Sequence, residues 1–545
     1  MAETATESAR WNLRTIAVAT AVFIVITAVM TWPHVLLLKT HAVEHQDVFF
    51  NLWRLRWVAH AIATSPADLF NGNIFHPEPG VLAYSDAMLL QGVLAAPLFW
   101  FGVPPVLVHN LWMLGAIVAS AVGIFVLARH LTGNTAAAIT AGVVFAFAPY
   151  RFEHYMHMEL QWTVWTPWAF WALQRTIETG RRRFGLLMGV LMALQMVSSI
   201  YYGVFLLTLI GTIAALQLTT LRGRRLVQTA GALLLGGVVA ASASWLYALP
   251  YKAASATVGL RSTHEVKMFS ARPRDYLVAT PTNLLYGELN TGRPERRLFP
   301  GIVAPLLALI GLLLIAPSTV VVTYLVGLVL AFELSLGSNG WLYPLLYEHV
   351  GVFRALRAPA RASVYCLFFL GILTAHATAA LTRAASPVMR AVVASLVCAA
   401  ILFEYRVAPL PLVAYPNDAP PLYKLVQRLP PGTVAEFPMP RPGAPPHHDA
   451  RFAYMSTFHW MPLVNGYSGF YPRTYLRRLA RLSTFPDVES VASLKREEVR
   501  YLIIHDDGYP EGERLRIVEE LMALGVKRLA DFEDGWSLGT LMELQ

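Results

Sequence analysis

The chain has 545 residues, of which 56% are hydrophobic and only 14% are charged, and its formal net charge is +9. This composition excludes an ordinary soluble enzyme and predicts a polytopic membrane protein with a modest extramembrane part. The positive charge does not indicate nucleic-acid binding, because the arginines form short clusters between apolar segments, at residues 181–183 and 222–225. Both cysteines, Cys366 and Cys398, lie in apolar segments, so neither a disulfide framework nor a zinc site is indicated.

Long apolar segments follow one another along the first 400 residues. A helix needs about 20 apolar residues to cross roughly 30 Å of hydrocarbon. The segment at residues 13–38 is too long for the apolar part of a signal peptide, so it is predicted to be a retained helix. The run at 88–103 is shorter and is predicted to lie in the interface or to re-enter the membrane. About eleven crossings are predicted, at residues 13–38, 105–128, 134–149, 160–176, 184–200, 203–221, 226–250, 300–316, 318–334, 362–383 and 388–404.

The arginines predict the orientation of these helices. Arg10 and Arg14 precede the first helix, which predicts a cytoplasmic N-terminus, and the two arginine clusters are also assigned to the cytoplasmic side. The C-terminus then lies outside. The large outer segments are predicted at residues 39–87, 149–159, 251–299 and 405–545.

The first outer segment begins with a polar run that ends at Asp47. A carboxylate beside hydrocarbon is costly and is more often functional than incidental, so Asp47 is the first candidate for chemistry, with His45 beside it. His41 and Glu44 fit the plainer interpretation of polar residues in a wet loop. Residues 49–58 mix aromatic side chains with arginine and contain no helix breaker, which predicts an amphipathic helix on the membrane surface.

The second outer segment carries two acids and two histidines. His154 and His157 are three residues apart and would share a helix face. Carboxylates and imidazoles from two loops can bind a divalent metal, or can supply a general base with its orienting partner. The alternative is that polar residues simply collect in loops. The four candidates are Glu153, His154, His157 and Glu159.

The third outer segment is cationic. Arginine at a membrane surface can neutralise a phosphate or pyrophosphate through paired hydrogen bonds. General attraction to anionic lipid headgroups explains the same residues equally well. The candidates are Arg261, His264, Arg272 and Arg274.

The apolar segments hold almost no Asp, Glu, Lys or Arg, whereas an ion-coupled transporter usually places such groups at mid-membrane. The sequence also has no phosphate-binding GxxxxGK[ST] loop, no GxGxxG after a strand and no HExxH. Chemistry driven by ATP or NAD therefore has no support in the sequence.

The composition changes near residue 409, where proline becomes frequent and marks a linker. The strand-type runs 434–437 and 501–505, and a helical stretch at 511–524 capped by Gly525, predict a small α/β domain. The division is therefore predicted as a membrane domain at 1–408 and an extramembrane domain at 409–545. The aromatic run 454–470 suits sugar rings or a packed contact, and residues 447–449 are interpreted as solvated.

These features resemble the GT-C superfamily of polytopic glycosyltransferases, over roughly the first 220 residues. Members carry a catalytic acid in the first outer loop, just after the first helix, and a second acidic position about a hundred residues later. Asp47 matches the first position, and Glu153 or Glu159 matches the second by spacing. Residues 128–133, with the small-residue helix that ends at residues 148–151, are also similar to the family's pattern.

Two departures accompany this resemblance. The family's usual pair of acids is absent at Asp47, which lies between Gln46 and Val48. In the second loop, histidine replaces some of the acidic positions. The resemblance therefore does not identify the substrate.

The resemblance implies a mainly α fold, a polytopic GT-C-like bundle with the small α/β domain outside. It implies a glycosyltransferase of the bacterial inner membrane that acts at the periplasmic face, where a polyprenyl-phosphate-linked sugar is the expected donor and a glycan, lipid or protein the acceptor. Asp47 is the expected general base. Glu159, His154 and His157 are expected to orient the acceptor or bind a metal, and the third-loop arginines to stabilise the departing phosphate. A lipid flippase or permease, and a non-catalytic envelope-assembly protein, are the competing hypotheses.

Overall fold

In a computed structural model of the protein, residues 13–289, 292–441, 443 and 448–544 are described, so Arg10 and His447 lie outside the described residues. The chain forms two compact units. The helical unit comprises Met1–Leu36, Trp112–Leu246 and Leu260–Leu410. The α/β unit comprises Leu37–Leu111, Tyr247–Gly259 and Pro411–Gln545.

The described residues contain both long helices and short strands. The helices are α1 Leu13–Met30, α2 Gln46–Thr64, α3 Leu89–Trp100, α4 Pro105–Thr132, α5 Thr135–Phe147, α6 Pro149–Glu153, α7 Met158–Gln161, α8 Trp165–Thr179, α9 Arg182–Ser198, α10 Ile200–Leu218, α11 Gly223–Val258, α12 Thr263–Met268, α13 Val303–Leu314, α14 Thr319–Leu336, α15 Leu342–His349, α16 Ser363–Leu381, α17 Pro387–Tyr405, α18 Pro421–Val426, α19 Asp449–Ser456, α20 Arg473–Arg481, α21 Val488–Arg496 and α22 Glu513–Ala523. The strands are β1 His41–Val43, β2 Leu412–Ala414, β3 Thr433–Phe437, β4 Val499–His505, β5 Lys527–Glu533 and β6 Leu538–Glu543.

The predicted polytopic helical membrane protein is confirmed. Among the described residues, eight helices are long and apolar enough to cross a membrane. Helices α8 and α9 have 15 and 17 residues, and α3 and α13 have 12 each, so all four are shorter than the 18 residues required of a candidate span. The number of eleven crossings and the orientation therefore stay predictions. The eight spans are Leu13–Met30, Pro105–Thr132, Thr135–Glu153, Ile200–Leu218, Gly223–Val258, Thr319–Asn339, Pro359–Leu381 and Pro387–Tyr405.

Helix α16 forms the centre of the helical unit. Its residues are buried from Ser363 to Ala375, and it packs on α5, α13 and α14. Helix α1 lies at the other extreme, since its apolar side chains Val18, Val25 and Val29 are more than half exposed. Exposed apolar side chains on a long helix suit a hydrocarbon surface, where they cost no hydration free energy.

Glycines allow helices α9 and α11 to approach closely. Gly185 and Gly189, four residues apart on α9, lie against the backbone of Ala232 and Gly236 on α11. A Cβ atom at Gly185 would lie 2.0 Å from the carbonyl oxygen of Ala232. Small residues at this spacing are a common means of packing membrane helices backbone to backbone.

A four-stranded sheet organises the C-terminal part of the α/β unit. Its strand order is β3-β4-β6-β5, with β3 and β4 parallel and the other pairs antiparallel. Helix α22 follows β4 and ends before Gly525, which has the positive φ of +80° that a helix-terminating glycine adopts. The predicted strands at 434–437 and 501–505 and the predicted helix at 511–524 are all present as β3, β4 and α22.

The structure corrects the prediction that residues 49–58 lie on the membrane surface. They do form a helix, α2, but side chains on several sides of it are buried, including Phe50, Trp53 and Arg54. Helix α2 packs on α3 and α19 within the α/β unit. Its aromatic residues thus form a protein core, because the C-terminal segment supplies the apolar partners that we had assigned to the bilayer.

The predicted domain division at 408–409 stays a prediction. The two compact units are defined by contacts between residues, which do not show whether either part folds independently. The third segment of the α/β unit begins at Pro411, close to that division. The unit also takes in residues 37–111, which composition alone had grouped with the membrane helices.

We expect Gly185→Ala to destabilise the protein by about 1–3 kcal/mol, because the added methyl group overlaps the Ala232 carbonyl. The measurement is the thermal unfolding of purified protein in detergent. The matched control is Gly211→Ala in α10, where a Cβ meets no described atom within 4 Å. That change should be neutral or stabilising, since alanine favours a helix, and equal effects of the two changes would contradict the close approach.

Candidate functional site

Asp47 lies in the first turn of α2, where a carboxylate interacts favourably with the helix dipole. The helix begins after His45, whose Nδ1 accepts a hydrogen bond from the backbone N–H of Asp47 at 3.1 Å. The side chain of Asp47 is 16% exposed. It is therefore held by the helix start yet remains open to an incoming molecule.

The side chains of Tyr467 and His45 lie beside the Asp47 carboxylate. The Tyr467 hydroxyl donates a hydrogen bond to Oδ1 at 2.8 Å, and His45 Nδ1 lies 3.5 Å from Oδ2. Tyr467 comes from the aromatic run at 454–470, so this run contributes a polar contact as well as packing. Asp47, His45 and Tyr467 form one cluster in the α/β unit.

The helical unit contains a second, buried cluster. Glu295 accepts hydrogen bonds from Arg361 Nη2 at 2.5 Å and from Nε at 3.3 Å, and its other neighbour, His154, lies 3.8 Å away. Burial opposes ionisation of Glu295, but the charge of Arg361, together with His154, outweighs it and holds the pKa of this carboxyl well below its usual value. Glu295 is therefore a carboxylate at neutral pH.

His154 is a neutral imidazole in this cluster. Burial lowers its pKa to about 3, although the nearby Glu295 carboxylate acts to raise it. Neither ring nitrogen has a hydrogen-bond partner among the described residues, and the residue is only 1% exposed. Buried polar atoms are nearly always hydrogen-bonded in native proteins. Either ring nitrogen of His154 can therefore form a hydrogen bond with a water molecule or a ligand group.

The other acids of the second loop differ in their surroundings. Glu153 accepts a hydrogen bond from Arg297 at 2.8 Å, and both side chains are largely buried. Glu159 lies in α7 and is 7% exposed, and His157 precedes that helix with its ring centroid 5.4 Å from that of His154. The expectation of one shared helical face does not hold, because α6 ends at Glu153 and α7 begins at Met158.

Internal hydrogen bonds make this loop rigid. The Arg151 guanidinium donates to the Leu160 carbonyl at 3.0 Å and to the Thr163 hydroxyl at 2.5 Å. The Gln161 amide donates to the carbonyls of Arg151 and His154, both at 2.9 Å. This loop is thus folded and buried, because the two side chains satisfy several of its backbone carbonyls.

A cavity of about 310 Å³ lies in the helical unit. Most of its wall is apolar and comes from α13, α14 and α16, for example Pro305, Val329 and Leu370. Its polar lining residues are Tyr150, Tyr276, Ser363 and Cys366. Val329 is 58% exposed, so the cavity reaches the surface of α14. Such a space suits an apolar chain with a polar end.

The predicted cations of the third loop differ in exposure. Arg261 donates to Glu265 at 2.9 Å and its side chain is largely buried, whereas His264, Arg272 and Arg274 are exposed. The cations next to the second-loop residues are instead Arg297 and Arg361. The sequence analysis does not identify these two arginines, although the dense charges of residues 293–297 between apolar segments are a usable signal for Arg297.

The α/β unit holds a buried ion-pair cluster that the sequence analysis missed. His505 contacts Asp534 at 2.5 Å and Glu436 at 2.8 Å. Burial acts to lower the pKa of His505, but these hydrogen bonds to two carboxylates outweigh it and raise the pKa above its usual value. Both ring nitrogens of His505 thus contact carboxylate oxygens, and Arg451 pairs with the neighbouring Asp507.

Among the described residues, His505, Asp507 and Asp534 are the group of three whose ligand atoms are close enough to hold one metal ion. Both nitrogens of His505 are already engaged by carboxylates and Asp507 is paired with Arg451, so we interpret the group as an ion-pair cluster. The second-loop candidates, including His154 and His157, form no such group within the described part of the chain.

Asp449 corrects the interpretation that residues 447–449 are solvated. Its side chain is fully buried, accepts hydrogen bonds from Tyr475 and from Asn465 at 3.1 Å, and lies in the first turn of α19. Burial raises the pKa of this carboxyl to about 7, while the two hydrogen bonds act to lower it. The proline-rich sequence before it gave no sign of this burial.

We expect Asp449→Asn to reduce the dependence of stability on pH. An acid whose pKa rises from about 3.8 to about 7 on folding binds its proton more tightly in the folded state. The resulting stabilisation is fully present below about pH 4 and is lost as the pH rises through 7. Thermal unfolding between pH 5 and 8 should therefore show a smaller fall for Asp449→Asn than for wild type. The exposed control Glu511→Gln should keep the wild-type slope, and parallel curves for all three proteins would contradict the assignment.

We expect Glu295→Gln to destabilise the protein by about 3–5 kcal/mol, because it leaves the buried Arg361 guanidinium without its counter-charge. Glu520→Gln removes one carboxylate partner of the exposed Arg516, which also pairs with Glu513, and should have little effect on stability. Thermal unfolding in detergent compares the two. Similar effects would show that the Glu295 pair is not a buried interaction.

Comparisons with solved structures agree with the predicted fold. Arabinofuranosyltransferase AftD from Mycobacteria superimposes with a TM-score of 0.59 at 17% identity, over 97% of this chain and 41% of AftD. This chain thus spans about two fifths of the length of AftD. An oligosaccharyltransferase from Archaeoglobus fulgidus has a TM-score of 0.47 at 12% identity, over 91% of this chain and 69% of its own. ArnT from Cupriavidus metallidurans bound to undecaprenyl phosphate has a TM-score of 0.38 at 12% identity, over 98% of both chains.

No protein-family model and no curated protein sequence matches the chain. The similarity to AftD extends over nearly all of this chain and concerns the fold alone. The protein is a polytopic membrane protein with the GT-C fold.

Proposed function

We propose that the protein is a bacterial inner-membrane glycosyltransferase that moves a sugar from a polyprenyl-phosphate-linked donor to an envelope acceptor at the periplasmic face. The observation that carries the proposal is Asp47, a partly exposed carboxylate at the start of the helix after the first membrane span, in a chain with the GT-C fold. A glycan, lipid or protein with a reactive hydroxyl is the acceptor.

Asp47 acts as the general base in this proposal. It takes the proton of the acceptor hydroxyl, and the acceptor oxygen bonds to the anomeric carbon of the donor sugar. The bond from that carbon to the phosphate oxygen breaks, and its electron pair leaves with the polyprenyl phosphate. A carboxylate within reach of the hydroxyl suits this proton transfer, and hydrogen bonds such as that from Tyr467 hold it ready.

The lipid part of the donor is assigned to the cavity in the helical unit. Its apolar wall and its exposure at Val329 suit an isoprenoid chain that arrives from the bilayer. Arg272 and Arg274 are exposed and carry the positive charge that would stabilise the departing phosphate, with Arg261 and His264 in the same segment. Arg297 and Arg361 are committed to carboxylates and are not assigned this role.

The second-loop residues Glu153, His154, His157 and Glu159 are assigned to orientation of the sugar or the acceptor. The two unsatisfied nitrogens of His154 support this role, because a hydroxyl group could satisfy either of them. The proposed mechanism does not use a metal ion, because these side chains do not form a group close enough to hold one within the described residues.

The proposal predicts that Asp47→Asn lowers sugar transfer at least about a hundredfold, since general-base catalysis typically contributes that much or more. Transfer is measured in membranes with radiolabelled pentoses and hexoses supplied on polyprenyl phosphate. The matched control is Glu44→Gln, an exposed acid of the same loop, which should retain activity. Full transfer by Asp47→Asn would remove Asp47 as the base, and no transfer by wild type would contradict the glycosyltransferase.

A further inference from the structure

We propose that Tyr467 is a positioning residue for Asp47, so that the C-terminal part of the chain completes the base of the transfer reaction. The inference rests on the proposed function, because it assigns Tyr467 a role through Asp47. It goes further by assigning a defined task to a segment whose aromatic sequence had suggested only sugar contact or packing.

The direct evidence is the contact itself. The Tyr467 hydroxyl donates to Asp47 Oδ1 at 2.8 Å, and the Tyr467 ring packs edge-on against Phe50 with ring centroids 5.3 Å apart. Phe50 lies three residues after Asp47 on α2, so one turn of the helix holds both the ring and the hydroxyl of Tyr467. The carboxylate and its donor are thus fixed to each other at two points.

The chain before Tyr467 is fixed on one side to strand β3. The N–H of Val464 donates to the Val434 carbonyl at 2.9 Å, and the N–H of Val434 donates to the Pro462 carbonyl at 2.8 Å. Asn465 adds a side-chain clamp, because its amide bonds both the N–H and the carbonyl of Glu436, at 2.8 and 2.9 Å. These bonds leave residues 462–465 little freedom to shift along the strand.

The same stretch is fixed on its other side to the loop at residues 73–76. Leu463 donates its N–H to the Asn73 carbonyl at 2.7 Å, and Phe75 donates its N–H to the Asn465 carbonyl at 2.9 Å. At Gly466 a Cβ atom would lie 2.5 Å from the Phe75 ring, so the chain passes the ring only because this residue has no side chain. The backbone that leads into Tyr467 is therefore held firmly in place.

This arrangement matches what a general base requires. A carboxylate must be held within about 0.5 Å of its productive position by neighbours that are themselves fixed. The Tyr467 hydroxyl occupies one lone-pair direction of Oδ1, and a carboxylate has further acceptor positions for the hydroxyl of the acceptor molecule. Tyr467 therefore sets the direction in which Asp47 receives the proton.

The test compares Tyr467→Phe with Tyr471→Phe, using the polyprenyl-phosphate-linked sugar that wild type transfers. Tyr467→Phe keeps the ring on Phe50 and removes only the hydroxyl. We expect kcat to fall about tenfold while KM for the donor stays within twofold, since a hydrogen bond to a charged group is lost without loss of donor contacts. Tyr471→Phe, whose ring packs on Phe75, should keep both parameters. Unchanged kcat in Tyr467→Phe would overturn the inference.

A double-mutant cycle separates positioning of Asp47 from any other effect. In the Asp47→Asn background, Tyr467→Phe should cause no further fall in kcat, because the residue it positions is already inactive as a base. A further tenfold fall would overturn the inference and leave the proposed function intact. Full activity of Asp47→Asn alone would overturn both. Thermal unfolding of each variant in the cycle establishes that the losses in kcat do not come from unfolding, and a stability coupling between the two changes reports the contact itself.

Discussion

Aromatic packing between helix α2 and the C-terminal segment determines where Asp47 lies. His60 stacks on Trp460 with ring centroids 3.9 Å apart, and Arg56 covers the Phe458 ring at 4.6 Å. Aromatic rings bury large areas with defined geometry, so they fix the helix more firmly than aliphatic contacts of equal number would. The carboxylate at the start of α2 is therefore positioned by residues about 400 places further along the chain.

In the helical unit, buried acidic side chains form ion pairs. Two of its largely buried acids, Glu153 and Glu295, are each paired with an arginine, which offsets the cost of taking both charges out of water. His154 lies 3.8 Å from Glu295 as a neutral imidazole, and its ring nitrogens have no hydrogen-bond partner among the described residues. This unused hydrogen-bonding capacity is what supports the proposed role of His154 in orienting a ligand.

Local pattern predicted much of this structure, and long-range contact accounts for the rest. The apolar helices, the strands β3 and β4 and the helical character of residues 49–58 follow from segment length and local composition, whereas the start of α2 at Gln46 does not. The hydrogen bond from Tyr467 to Asp47 joins residues 420 positions apart, and the bond from Arg297 to Glu153 joins residues 144 apart. Contacts between such distant residues leave no periodic pattern in the sequence. Composition alone therefore predicts that α2 lies on the membrane surface, whereas its apolar partners lie in the C-terminal segment.

The most direct measurement follows the fate of the donor. Purified protein in proteoliposomes is given a polyprenyl phosphate carrying a radiolabelled sugar together with envelope acceptor, and the lipid and glycan fractions are then separated. The glycosyltransferase proposal predicts that the label moves to the acceptor while free polyprenyl phosphate accumulates in equal amount. Movement of the intact donor between leaflets, with the sugar still on its lipid, would contradict the proposal and identify a transporter.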